Sequence, residues 1–351
     1  MDIDIFDMEK PFVSVLIPAY NCASFIVQTL QSVLNQDYTN FEILICDDGS
    51  IDRTLEVIKA LTKKDSRIKV YENVCNKGKV LTINHLLQEA SGDYITILDS
   101  DDFFSPDKLE RQVGFFEDNP EIGACGCNYA SIDSQGRVVD TSALPLSDYE
   151  IRQYIQNHDL KDFALCCASL MIRREVYEQI GGYREFFITC CIGEDIDWIL
   201  RISDKFQVAN VDFVGYYYRF HPSSLTRKIN FAIKNRHMHD IVAFLAKQRR
   251  ENGADFIETG DVSAYNELLE KLAEPYKKDK GLLYRKVVVE YSINKNRKYA
   301  WMYFKRLWKI SGCSISTLKV GVMMCVLSMF NYNFLLRVKK FLNISHLSSK
   351  V

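Results

Sequence analysis

Along the first half of the chain, short apolar runs alternate with stretches in which apolar residues recur every three or four positions. Phe12–Ile17, Phe41–Cys46, Ile68–Tyr71 and Tyr94–Leu98 have the length and apolar content of buried strands. Between them, Ser24–Gln36 sets Phe25, Ile26, Leu30, Val33 and Leu34 on one helical face. Thr54–Leu61 and Leu81–Ala90 read as two further helices, and Pro18 closes the first strand. Ser105 followed by Pro106 predicts the N-cap and first position of another helix, with a strand after it near Ile122–Tyr129. Strands alternating with helices predict an α/β sheet with parallel strands.

The second half has a different pattern. Leu165–Ile172 predicts a buried strand, and Arg174–Ile180 a short helix stopped by Gly181-Gly182. Gly193-Glu194-Asp195 introduces a helix over Ile196–Ser203, and Phe206–Phe220 is strand-rich. Beyond Ile229 the pattern turns helical and charged. The boundary is expected near residue 228, giving domains 1–228 and 229–351.

Composition fits a globular chain, with 47% hydrophobic and 26% charged residues. The net charge of −2 hides an asymmetry. From Lys280 to Val351 there are 14 Lys or Arg against one acid, Glu290, so this tail carries +13 and the rest of the chain −15. A basic tail on an acidic body points to an anionic partner. Tyr299–Ile310 interleaves aromatics with bases, and Val320–Phe330 is an apolar run of 11 residues flanked by Lys319 and Arg337-Val-Lys-Lys340. That run is too short to span a bilayer, which needs about 20 residues. Two readings stand: a helix lying at an anionic membrane surface, or an ordinary helix packed on the catalytic domain or on a partner in a homo-oligomer. No RNA-binding motif accompanies the charge, so nucleic acid is not expected. Eleven cysteines without zinc-site spacing fit free thiols in a reducing compartment. The acidic N-terminus lacks a signal-peptide core. The expected location is cytoplasmic, peripheral at the inner face of the cell membrane.

Ligands of such sheets bind outside the carboxyl ends of the strands. Polar clusters fall there four times: Asn21, Asp47-Asp48-Gly49-Ser50, Asn76-Lys77-Gly78-Lys79 and Asp99-Ser100-Asp101-Asp102. Three carboxylates in four positions repel unless a cation sits among them, and a hard divalent ion bridging substrate phosphates is the usual solution. The plainer reading is a solvated loop whose last Asp caps a helix. Asp47 and Asp48 suit turn capping, with the second carboxylate left over for a ligand. Tyr20 suits stacking on a base. Lys77 and Lys79 face either phosphates or solvent. Glu194-Asp195 at a helix start is either helix capping or a general base near a metal. His221 is either structural or a further phosphate or metal contact.

Taken together, these residues resemble glycosyltransferase family 2. The resemblance runs from Val13–Asn21 through Ile45–Thr54, Asn76-Lys77-Gly78, Asn84, Ala90–Ile95 and Leu98–Asp102. It continues in order with Ile180–Tyr183, Gly193–Asp195, Arg201 and Tyr218–His221, covering roughly residues 11–226. It implies the GT-A fold, a Rossmann-like mostly parallel sheet flanked by helices, here followed by a helical C-terminal extension. It also implies inverting, metal-dependent transfer of a sugar from a nucleotide-diphosphate donor, a UDP-sugar first. The acceptor would be a hydroxyl of a glycan or lipid-linked acceptor in surface polysaccharide assembly. By resemblance Pro18, Ala19, Tyr20, Asn21 and Asp48 hold the base. Lys77, Gly78 and Lys79 belong to the donor loop, although the chain lacks the Arg often found before Asn84. Asp99 and Ser100 support the acidic loop, Asp101 meets ribose or metal, and Asp102 and His221 ligate Mn²⁺ or Mg²⁺. Asp195 is the base, and Glu194 and Trp198 lie on the acceptor side. A nucleotidyltransferase is disfavoured, because Pro18-Ala-Tyr-Asn21 stands where a Gly-rich phosphate loop belongs. A non-catalytic sugar-nucleotide-binding or scaffold protein would lack Asp101, Asp102 or Asp195, and all three are present.

Overall fold

The computed structural model describes residues 10–63, 65–133, 135–157, 164–190, 192–219 and 231–329. The chain divides into two compact units, residues 1–220 and 221–351.

The first unit begins with β1 (Val13–Ala19), α1 (Ile26–Leu34), β2 (Phe41–Asp47), α2 (Thr54–Thr62), β3 (Ile68–Glu72), α3 (Lys79–Glu89) and β4 (Tyr94–Ile97). Short β5 (Phe103–Phe104) and α4 (Lys108–Asp118) lead to the long β6 (Ile122–Ile132), then β7 (Val138–Thr141) and α5 (Asp148–Asn157). After β8 (Met171–Arg173) come α6 (Arg174–Ile180), α7 (Glu194–Lys205) and β9 (Gln207–Arg219). The strand order is β3-β2-β1-β4-β8-β6-β9-β5, with β7 on β6. β3, β2, β1 and β4 are mutually parallel, and β2 is buried along its whole length, which is why it is apolar from Ile43 to Cys46, with Glu42 satisfied by Ser14, Lys69 and Ser91. β2 and β4 leave β1 in opposite directions, so the sheet has its topological switch point at the carboxyl ends of β1 and β4.

Beyond β4 the sheet departs from a mostly parallel one. β8 runs antiparallel between β4 and β6, β9 is parallel to β6, and β5 closes the edge antiparallel to β9. The strand expected over Leu165–Ile172 forms only at its end. Cys167–Ser169 is a 3₁₀ turn, because side chains there take over the backbone hydrogen bonding. The Ser169 hydroxyl lies 3.0 Å from the Cys127 carbonyl, and the Gln112 amide donates to the carbonyls of Cys125 and Ser169. Buried Lys108 completes this knot, donating to Thr96 and Gln112 with its ammonium 4.1 Å from the Phe104 ring centroid. Burial pushes its pKa down to about 8. α4 therefore starts at Lys108, two residues later than Pro106 suggests, with Asp107 as N-cap.

The second unit is helical over its described residues: α8 (Ile233–Arg236), α9 (Met238–Asn252), α10 (Phe256–Thr259), α11 (Ser263–Lys278), α12 (Leu282–Ile293), α13 (Arg297–Ser311) and α14 (Ile315–Met329). Asp255 caps α10 through a capping box with Glu258. Val288, Leu307 and Val320 join α12, α13 and α14 in one apolar cluster. Among the described residues, no helix is long and apolar enough to cross a membrane. Phe330 and Arg337–Lys340 lie outside the described residues.

Candidate active site

The site is built at the switch point. β1 and β4 pair in parallel with Leu16 opposite Ile97, so Pro18 and Ala19 end level with the start of the Asp99–Asp102 loop. Tyr20 follows at 44% exposure. Asn21 adopts φ 50°, and its side-chain oxygen accepts the Ile51 N–H at 2.9 Å, tying the β1 loop to the β2 loop. Asn tolerates this left-handed conformation better than most residues.

Asp48 is buried, and its carboxylate is spent on the next loop. Oδ1 accepts from the Asn73 amide and the Lys77 N–H, and Oδ2 from the Gly78 N–H, each at 2.8 Å. Gly49, at φ 69°, lets the two loops touch; a Cβ there would lie 2.7 Å from the Cys75 carbonyl carbon. Asp48 thus shapes the Asn73–Gly78 segment, and exposed Lys77 stands on it. Asp47 accepts the Ser50 N–H through Oδ2 at 3.0 Å, whereas its Oδ1 is buried with no partner.

In the acidic loop the three carboxylates do different things. Asp99 is paired with Lys79 at 2.7 Å. Asp101 is half-buried, and its carbonyl accepts from the Arg219 guanidinium at 2.9 Å. Asp102 is 1% exposed, and both its oxygens are occupied: the Tyr216 phenol donates at 2.6 Å and the Arg219 N–H at 2.7 Å. Burial, reinforced by the charges of Asp101 and Asp99, raises its pKa well above the usual carboxylate range. Asp102 thus fastens the acidic loop to β9. Ser100 contributes its carbonyl, 3.0 Å from the Thr29 hydroxyl. His221 lies outside the described residues.

Glu194 and Asp195 form the first turn of α7 behind Gly193, which has φ 89°. Asp195 is half-buried, with Oδ1 accepting the Ile196 N–H at 2.8 Å. Glu194 is 4% exposed, and its Oε2 has no hydrogen-bond partner among the described residues. Burial first, then the charge of Asp195, pushes its pKa up to about 7, with Lys79 opposing. Burial also works against the Lys79 ammonium. Asp99, Glu194 and Asp195 together outweigh it and hold the group above the ordinary lysine range. Lys79, first residue of α3, therefore links the Asp99–Asp102 loop to the head of α7.

The corner beneath α7 is tightly fixed. Arg201 reaches Asp197 at 2.9 Å and donates to the carbonyls of Ile180 and Gly182. Asn84 exchanges two 2.8 Å hydrogen bonds with the Tyr183 backbone. Trp198, expected on the acceptor side, is a core residue: it is 2% exposed and its indole N–H donates to the Gly181 carbonyl. Tyr216 and Arg219 were not among the expected site residues. Tyr216 came only with the strand-rich Phe206–Phe220 segment, whose alternation marks one of each neighbouring pair as inward-facing, and Arg219 came also within the Tyr218–His221 stretch of the resemblance.

Comparison with known proteins agrees with this architecture. The profile described as Glycosyl transferase family 2 matches residues 14–181. The putative glycosyltransferase EpsE of Bacillus subtilis (strain 168) is 32% identical over 229 residues, 64% of this chain and 79% of that protein. The Escherichia coli UDP-Glc:alpha-D-GlcNAc-diphosphoundecaprenol beta-1,3-glucosyltransferase WfaP is 31% identical over 215 residues, 61% of this chain and 79% of that protein. An uncharacterized glycosyltransferase of Haemophilus influenzae is 41% identical over 132 residues, 38% of this chain, and the match spans only 52% of that relative. Among solved structures, S. aureus TarS 1-349 in complex with UDP-GlcNAc superposes with TM-score 0.56 at 17% identity, covering 94% of this chain and 91% of that one. Mannosyltransferase PcManGT from Pyrobaculum calidifontis, in complex with GDP-Man and Mn2+, gives 0.50 at 18% identity, covering 96% and 89%. With this sheet and these relatives, the chain belongs to glycosyltransferase family 2 and has the GT-A fold.

Proposed function

We propose that this chain is an inverting, divalent-cation-dependent glycosyltransferase that moves a sugar from a UDP-sugar to a hydroxyl of a glycan or lipid-linked acceptor. One observation carries the reading: through Lys79, the carboxylates at the head of α7 share one electrostatic cluster with the donor-side loop. A base and a donor site held this close suit an in-line displacement. Asp195 accepts the proton of the acceptor hydroxyl as its oxygen attacks the anomeric carbon, and the bond to the diphosphate breaks on the opposite side. Tyr20, exposed beside the Asp48-clasped loop, stacks on the base, and Lys77 faces the phosphates. The names of WfaP and of the TarS complex, with UDP-Glc and UDP-GlcNAc, support a uridine donor.

The side chains fit a hard cation of the Mg²⁺ or Mn²⁺ type. Among the described residues, no group of three or more His, Cys, Asp or Glu is placed to enclose a metal. Asp101 nonetheless stands half-buried at the switch point. Cations of this kind are commonly held by one or two carboxylates together with substrate phosphates. Asp101 would hold it in that way, and the ion would neutralise the leaving diphosphate.

Titration calorimetry of UDP, GDP, UDP-glucose, UDP-N-acetylglucosamine and GDP-mannose, with and without Mn²⁺, tests this. Uridine nucleotides are expected to bind only with the cation, and Asp101→Asn to lose that binding. Guanosine selectivity or cation-independent binding would reject the donor or the metal assignment. A product with the donor's anomeric configuration would reject inversion.

A further inference from the structure

α14 is apolar around almost its whole circumference, as helices buried on all sides are, but only one face is buried. Thr317 and Val320 pack inward with the α12–α13 cluster. The other face carries Ile315, Leu318, Val322, Val326 and Met329 at three- and four-residue spacing, all exposed, Val322 at 65%. Beside it runs a row on α13. Trp301 stacks on Phe304 at 5.7 Å, Phe304 lies 6.2 Å from Trp308, and Phe304 abuts Gly321 of α14. Both indoles are exposed, Trp301 at 50% and Trp308 at 43%. Cations rim the surface. The Lys305 ammonium sits 5.6 Å from the Trp301 ring centroid, and Lys309 and Lys319 are exposed.

A second copy and a lipid bilayer both suit an apolar stripe. Charge separates them. The chain from Lys280 onward carries +13, so a contact between two copies would press like charge on like. An anionic bilayer supplies the opposite sign, and indole rings favour its boundary with water. We propose that the α13–α14 face docks on an anionic phospholipid surface, with α14 lying in the interfacial plane and its exposed stripe turned into the acyl boundary. This inference stands apart from the sugar-transfer reading.

The test uses the full chain with vesicles of phosphatidylcholine alone or mixed with phosphatidylglycerol, followed by flotation and tryptophan emission. Trp198 is buried in the first unit, so a blue shift reports Trp301 and Trp308. Co-flotation and a blue shift are expected only with phosphatidylglycerol, weakening as salt rises. Lys305→Gln, Lys309→Gln and Lys319→Gln should each weaken binding about fivefold. Val322→Glu, on an exposed position, should abolish flotation without lowering the melting temperature. Trp301→Phe with Trp308→Phe should remove the emission shift. Equal binding to both vesicle types, no binding to either, or flotation unaffected by Val322→Glu would overturn the proposal. So would a dimer that Val322→Glu disperses in a chain that binds no vesicles.

Discussion

Among the adjacent acids of the first unit, two pairs contrast: Asp101-Asp102 after β4 and Glu194-Asp195 at the head of α7. In each, one carboxylate is buried and its neighbour half-buried. Burial pushes both buried members upward in pKa, but they are held differently. Asp102 receives two donors, from Tyr216 and Arg219, and these fix the acidic loop to β9. The Glu194 Oε2 receives none, and the main favourable influence on its charge is Lys79. A buried carboxylate with its hydrogen bonds made serves as a fastener. One without them is costly in a fold and is retained most readily where its charge acts on something else. Here the neighbour is Asp195, the proposed base.

The largest expected effect follows directly. Asp195→Asn should cut turnover by about 10²- to 10⁴-fold, the range for removing a general base. Donor affinity and melting temperature should stay nearly unchanged, since among the described residues the side chain's hydrogen bond is to the adjacent Ile196 N–H. Steady-state kinetics beside calorimetry decides it. Parallel losses of donor affinity and turnover would make Asp195 a binding residue and dissolve the contrast between the pairs.

Asp102→Ala should behave the opposite way. It strands the Tyr216 hydroxyl and the Arg219 N–H in the interior, and two buried unsatisfied donors cost about 4 kcal/mol together. Urea unfolding should show that loss as a lower midpoint. Full stability in this variant would mean that Asp102 does not fasten the loop.

How much of this was legible in the sequence depends on how local its causes are. β1, β2 and β4 were legible because they are buried on both faces and predominantly apolar, whereas β3 at the sheet edge reads from the alternation of Ile68, Val70 and the polar residues between and after them. The antiparallel insertion of β8 was not legible, since the turn that interrupts the strand-like segment is held by partners outside it, Gln112 and the Cys127 carbonyl. The acid crowding at Asp99–Asp102 could be read directly. Which member turns inward could not, because Tyr216 and Arg219 arrive more than 110 positions later. Trp198 sits three residues after Asp195, which suggests a shared face. The turn of α7 instead carries it under Gly181. Lys79 was legible as a cation near a ligand loop, but its partner Asp99 comes from a neighbouring strand end.

Glu194→Gln sharpens the same comparison through pH. The folded-state pKa, about 7, lies above the ordinary 4.5, so the fold favours the protonated acid. The stability this confers is complete below about 4.5 and is lost as pH rises to about 7. A glutamine stays neutral throughout. The variant should match the parent near pH 4 and exceed it by up to about 3 kcal/mol at pH 8. Unfolding midpoints measured at the two pH values read this out. A constant difference between them would mean that the fold does not raise the pKa of Glu194.

Lys79→Met should give the smallest effect, and it asks whether the two acid pairs act together. Lys79 is paired with Asp99, and its charge also acts on Glu194 and Asp195. Without it, Glu194 loses the charge that opposes the rise in its pKa. The pH at which the stability conferred by protonated Glu194 is lost should then move above about 7. Unfolding midpoints followed across that range read this out. Lys79→Arg keeps the charge and should leave the transition in place. If Lys79→Met lowers the midpoint equally at every pH, Lys79 is only a strut for Asp99, and the two acid pairs act separately.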